Sequence, residues 1–138
     1  MTPTQITLVQ TSFAQVRAAA DTVAEQFYQR LFELDPSVRR LFPADMREQR
    51  RLLMTMLARV VNDLQHFEAL KPLLEQLGQR HVGYGVHPSH YATVGQALLW
   101  TLQQGLGPQF TAELEAAWVA AYTQMVESMA VSLEPADT

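Results

Sequence analysis

Apolar residues recur every three or four positions along almost the whole chain, and no stretch alternates apolar with polar residues at a period of two. A repeat near 3.6 gathers such residues on one side of an α-helix, whereas a half-buried strand needs the shorter period. The chain therefore reads as all-α, helices packed on helices. Its 138 residues fit a single compact domain, 1–138, with no linker, internal repeat or low-complexity segment. A chain of about 150 residues buries roughly 68–70% of its unfolded surface, which leaves core enough for a small cofactor pocket.

Punctuation residues divide this pattern into six long helices and two short ones. Thr2-Pro3-Thr4-Gln5 has the capping-box order, with proline at a first helical position, and predicts a helix from Thr4 to Ala20. Asp21 is placed to cap a second helix, in which Val23, Ala24, Phe27, Tyr28, Leu31 and Phe32 form a broad apolar face. Asp35-Pro36 ends it and begins a short turn, Ser37 to Leu41, closed by Phe42-Pro43. Asp45 with Glu48 starts a helix from Met46 to Asn62, with Gln49, Leu53, Met56 or Leu57, and Val60 in its stripe. Phe67 to Leu70 predicts a helical turn, and Pro72 opens a shorter helix through Leu77 and His81. Gly83 and Gly85 mark a corner. Pro88 to Leu106 and Thr111 to Leu133 complete the set, with a tail at 135–138.

Composition removes several functions. There is no cysteine, so disulfides, thiolate chemistry and cysteine-ligated zinc or iron–sulfur centres are excluded. The hydrophobic share is 48% and the charged share 17%, far from the disordered class, and the net charge of -4 argues against nucleic acid or an anionic membrane as partner. No apolar run approaches the ~18 residues of a membrane span. The N-terminus lacks the basic-then-apolar order of a secretory signal, so a cytoplasmic location is the expectation.

Three weak signals remain. His81 ends an apolar helix, with Leu77 one turn earlier on the same face. A lone histidine there is more often a core residue with a satisfied hydrogen bond than a ligand. Haem iron, however, needs only one protein nitrogen beside a flat apolar slot, and the other histidines form no spaced metal motif. Tyr28 on the second helix must find a partner for its hydroxyl if buried. Gln49, one turn before Leu53, is an amide heading an apolar stripe.

The order of these residues, with Gln26-Phe-Tyr-Gln-Arg-Leu-Phe, Gln79-Arg-His-Val-Gly-Tyr-Gly-Val, His90-Tyr-Ala-Thr-Val-Gly and Ala117-Trp-Val-Ala-Ala-Tyr, resembles the bacterial globins. It is most similar to the globin domain of flavohaemoglobins and their single-domain relatives, over about Ile6 to Leu133. The resemblance implies a three-over-three helical fold and haem b, with His81 as the proximal iron ligand and Phe42 wedged against the haem. Tyr28 and Gln49 become the distal pair, with Leu53 above the iron. Tyr91 would sit beside the proximal histidine, Val86, Val94 and Leu98 would line the pocket, and Arg80 could meet a propionate or simply be solvated.

That arrangement implies reversible, high-affinity O2 binding, with NO and CO as further ligands. The enzyme alternative is a nitric oxide dioxygenase in which Tyr28 and Gln49 would serve catalysis. None of the six glycines forms a dinucleotide-binding fingerprint, so electrons are expected from another protein, a separate reductase, or from a small reductant. The family's carboxylate on the last helix falls at Leu133, with Glu127 and Glu134 projecting elsewhere, which implies an ordinary imidazole at His81. Arg39, Arg40, Arg47, Arg50 and Arg51 could dock an acidic redox partner, but local pairing with Asp45 and Glu48 is the favoured reading.

Overall fold

Two layers of three helices form the molecule in the computed structural model, which describes residues 1–130 apart from Tyr84, Val86 and Pro88 and the side chains of residues 82, 83 and 130. The helices are α1 (Pro3–Arg17), α2 (Ala20–Leu34), α3 (Arg47–Asn62), α4 (Phe67–Gly83), α5 (His90–Leu106) and α6 (Ala112–Ala130). Short 3-10 turns occupy Pro36–Leu41, Leu64–His66 and Gly107–Gln109. No strand occurs among the described residues. α1, α3 and α4 lie over α2, α5 and α6, the three-over-three arrangement.

The start of α1 forms as its sequence dictates. Gln5 N–H donates to the Thr2 hydroxyl and Thr2 N–H donates to the Gln5 side chain, both at 3.0 Å. Two orphan amides of the first turn are thereby satisfied reciprocally. Other helix starts differ from expectation. α2 begins at Ala20 with Ala19 as an uncapped N-cap, so Asp21 lies inside the first turn and is no cap. α3 starts at Arg47 behind Met46, which makes no side-chain cap bond; Asp45, one residue further out, accepts the Arg47 backbone N–H, and Glu48 pairs with Arg51.

The expected break before Pro72 is absent, and α4 runs unbroken through it. Proline's fixed φ suits a helix, so only one carbonyl in an exposed turn loses its donor. At the corner after α4, Gly85 takes φ 89°, while Gly83 remains helical. The expected helix end at Leu133 and the tail lie outside the described residues.

The core joins both layers. Val9, Val60, Leu70, Leu74, Leu102 and Thr101 are fully buried, each large aliphatic among them contributing about 1.5–3 kcal/mol relative to exposure. A polar tie runs through it: Trp118 Nε1–H donates to the Ser12 hydroxyl at 2.9 Å, which donates to the Val9 carbonyl at 3.1 Å. This fixes α6 on α1 and leaves neither buried donor, the Trp118 N–H or the Ser12 O–H, unsatisfied.

α4 is positioned by close backbone contact with α6. A Cβ on Gly78 would sit on the Met129 carbonyl oxygen, and backbone cannot move aside as a flexible side chain can. Gly78→Ala should therefore destabilise the fold by about 2–3 kcal/mol through overpacking, read as a lowered midpoint in urea. An unchanged midpoint would mean that α4 is free to slide along α6.

Candidate functional site

Tyr28 and Gln49, twenty-one residues apart in sequence, meet between α2 and α3. Gln49 Nε2–H donates to the Tyr28 phenol oxygen at 3.1 Å. With that oxygen accepting, the phenol's own O–H remains to donate elsewhere. The Gln49 bond also polarises it, since hydrogen bonds in series strengthen one another.

Aromatic rings fix the phenol. Phe27 meets Tyr28 edge-on at 5.0 Å and Phe42 does so at 5.4 Å, while Phe32 packs against Phe42 at 5.5 Å. Arg39 lies 5.2 Å over the Phe32 ring and donates to the carbonyls of Phe42 and Pro43, so the turn carrying Phe42 is held by a guanidinium. Burial pushes the Tyr28 phenol from 10.0 up to about 12, with the Gln49 bond opposing in part. The protonated phenol is favoured by the fold, so its contribution to stability is complete below pH 10.0 and is lost as pH climbs toward about 12.

His81 lies half-buried near the end of α4. Its Nδ1 is 2.6 Å from the Leu77 carbonyl oxygen, which can only accept, so Nδ1 carries the proton. In the neutral ring Nε2 then holds the lone pair needed by a metal. Leu41, Phe42, Leu53, Leu77 and Val94 pack on the core on one side and stay half-covered on the other.

The residues of α5 divide. Leu98 is buried and shares a small apolar cavity with Phe27, Leu53 and Trp118. Val94 is half-buried one turn earlier. Tyr91 is buried, and its hydroxyl has no hydrogen-bond partner among the described residues; burial raises its pKa. Its carbonyl accepts from the Tyr122 hydroxyl at 2.6 Å, a contact that sequence spacing did not reveal. The Tyr122 ring passes so close to Gly95 that a Cβ there would overlap it.

Arg80 is exposed on α4. Val86, Leu133 and Glu134 lie outside the described residues. In the arginine corner Arg47 pairs with Asp45 and Arg51 with Glu48, while Arg50 reaches Asp21 on α2. Among the described residues, no group of three histidines, acids or cysteines could hold a metal, and no helix is long and apolar enough to cross a membrane.

An all-helical stack with a half-buried imidazole at the end of α4 and a Gln–Tyr pair between α2 and α3 narrows the class of protein. The globin profile matches residues 25–129, and the chain belongs to the globin family, which implies a haem cofactor. It is 34% identical over 123 residues to a flavohemoprotein of Xylella fastidiosa, covering 87% of this chain and 31% of that protein. It is likewise 34% identical over 116 residues to a neuroglobin of Tetraodon nigroviridis, covering 74% of this chain and 73% of that one. A bacterial globin from Campylobacter jejuni superposes with a TM-score of 0.85 at 21% identity, covering 99% of this chain and 100% of its own. The chain thus spans about a third of the length of its flavohemoprotein relatives.

Proposed function

We propose that the chain binds haem b through His81 and uses it to bind O2 reversibly and tightly in the cytoplasm. The observation that carries this reading is the Gln49–Tyr28 hydrogen bond at 3.1 Å. Haem iron supplies the coordination position for a diatomic gas. Tyr28 supplies an O–H donor held by Phe27 and Phe42, preorganised so that little rearrangement is needed when it acts. Gln49 fixes the direction of that donor, and the surrounding rings limit competition from water, so the bond is worth more than in solvent.

Leu77 orients the His81 ring and sets its tautomer, as a partner to a metal-bound histidine generally does. Leu53 and Leu98 give the pocket an apolar wall. Polar O2 gains more from the Tyr28 donor than CO does, so discrimination in favour of O2 is expected. Purified protein supplied with haem should develop an intense visible absorption band and release O2 slowly in stopped flow. A preparation that takes up no haem would overturn the reading. Because burial holds the Tyr28 proton up to about pH 12, the release rate should be flat from neutral pH to about pH 9; a rise in that range would implicate another group.

The flavohemoprotein relationship supports a second reading, nitric oxide dioxygenation with electrons from a separate reductase. Sustained NO consumption with an added reductase would support it, and consumption that stops after one equivalent would exclude it.

A further inference from the structure

Gln49 occupies the first turn of α3, where Met46 supplies no side-chain cap and Asp45 Oδ1 accepts the Arg47 N–H alone, at 3.1 Å. Such a turn frays unless something else holds it. Two side chains tie this turn to α2: Gln49 reaches Tyr28, and its neighbour Arg50 reaches Asp21, Nε to Oδ1, at 3.0 Å. Asp21 and Tyr28 are two helical turns apart, so they lie on one side of α2. The Arg50 side chain is 19% exposed and that of Asp21 75%, so the contact reaches inward from the surface toward the buried phenol.

We infer that the Arg50–Asp21 ion pair is a positioning device for the distal pair. It clamps the sparsely capped start of α3 onto α2 so that the Gln49 amide stays within reach of the Tyr28 oxygen. Neither Arg50 nor Asp21 lines the small apolar cavity of Phe27, Leu53 and Leu98. This rests on Tyr28 and Gln49 facing the gas ligand, and the test separates the two ideas.

The clamp has a readout that needs no haem. In the apoprotein, Asp21→Asn should accelerate amide hydrogen exchange at residues 47–53 and leave residues 57–62 unchanged. In the haem-loaded protein, Asp21→Asn and Arg50→Gln should each raise the O2 dissociation rate about two- to fivefold, the scale that a partly exposed ion pair supports. The effects should not add in the double variant, and the exchanged pair Asp21→Arg with Arg50→Asp should recover part of the wild-type rate. High salt should speed release from the wild type more than from Asp21→Asn. Glu68→Gln, which removes the exposed Lys71–Glu68 pair on α4, should shift neither readout.

Unchanged exchange at the start of α3 in Asp21→Asn would overturn the clamp, with or without haem. Faster exchange with unchanged O2 release would also overturn it, because the pair would then steady the helix without directing Gln49. Failure of the wild type to take up haem would count against the functional reading alone, and the exchange measurement would still decide the clamp.

Discussion

His81→Ala should abolish stable haem retention while leaving the apoprotein folded. His81 lies half-buried at the end of α4, so removing its ring leaves a small, solvent-reachable gap. The helix itself rests on Leu70 and Leu74 in the core and on the approach of Gly78 to Met129. Far-ultraviolet circular dichroism should therefore change little. Losing a metal ligand belongs to the largest class of single-residue effects, about 4 kcal/mol or more, which is about a thousandfold in affinity. The absorption band should be lost on gel filtration and return, for His81→Gly, when free imidazole is supplied. His66→Ala and His90→Ala serve as controls, since His66 is exposed and the His90 ring is taken up by the His87 N–H. A band that survives unshifted in His81→Ala would mean that the iron is held by another residue.

Six-helix architecture was legible from periodicity and punctuation, because each helix buries one face and each break needs proline, glycine or a cap. Helix starts were less legible. Asp21 has the right chemistry to cap, yet Arg50 engages it, while Asp45 both accepts the Arg47 N–H and pairs with the Arg47 guanidinium. An acid near a helix start suits both roles, and only tertiary position chooses between them. Pro72 misled for a related reason, since its preferred φ is also helical.

Resemblance singled out Tyr28, Gln49, Phe42 and His81 as a set, but the contacts they make in the structure were not legible. Spacing cannot tell that Gln49 donates to Tyr28 rather than directly into the pocket. Nor can it show that the Leu77 carbonyl takes the His81 proton, because a backbone acceptor has no sequence signature. The Tyr122–Tyr91 contact joins a hydroxyl to a carbonyl across two helices and is silent for the same reason. The favoured sequence reading of the arginine corner, local pairs on a solvated face, matches Arg47 with Asp45 and Arg51 with Glu48. Arg50 was the member whose partner came from elsewhere in the chain.

Tyr28→Phe should raise the O2 dissociation rate about five- to twelvefold, the equivalent of about 1–1.5 kcal/mol for one hydrogen bond. The rings of Phe27 and Phe42 would still hold the phenyl in place, so the change isolates the hydroxyl. CO release should move much less, because that ligand gains less from a donor. Gln49→Leu should have a smaller effect of the same sign, since Gln49 acts by aiming and polarising Tyr28 at 3.1 Å. In the Tyr28→Phe background the amide loses its acceptor and becomes able to turn toward the ligand itself. Removing it there should then add a cost unlike the one measured in the wild type, so the double-mutant cycle should fail additivity by about 0.5 kcal/mol or more. Strict additivity would mean that the two side chains act independently, and an unchanged O2 rate in Tyr28→Phe would remove the phenol from the ligand site altogether.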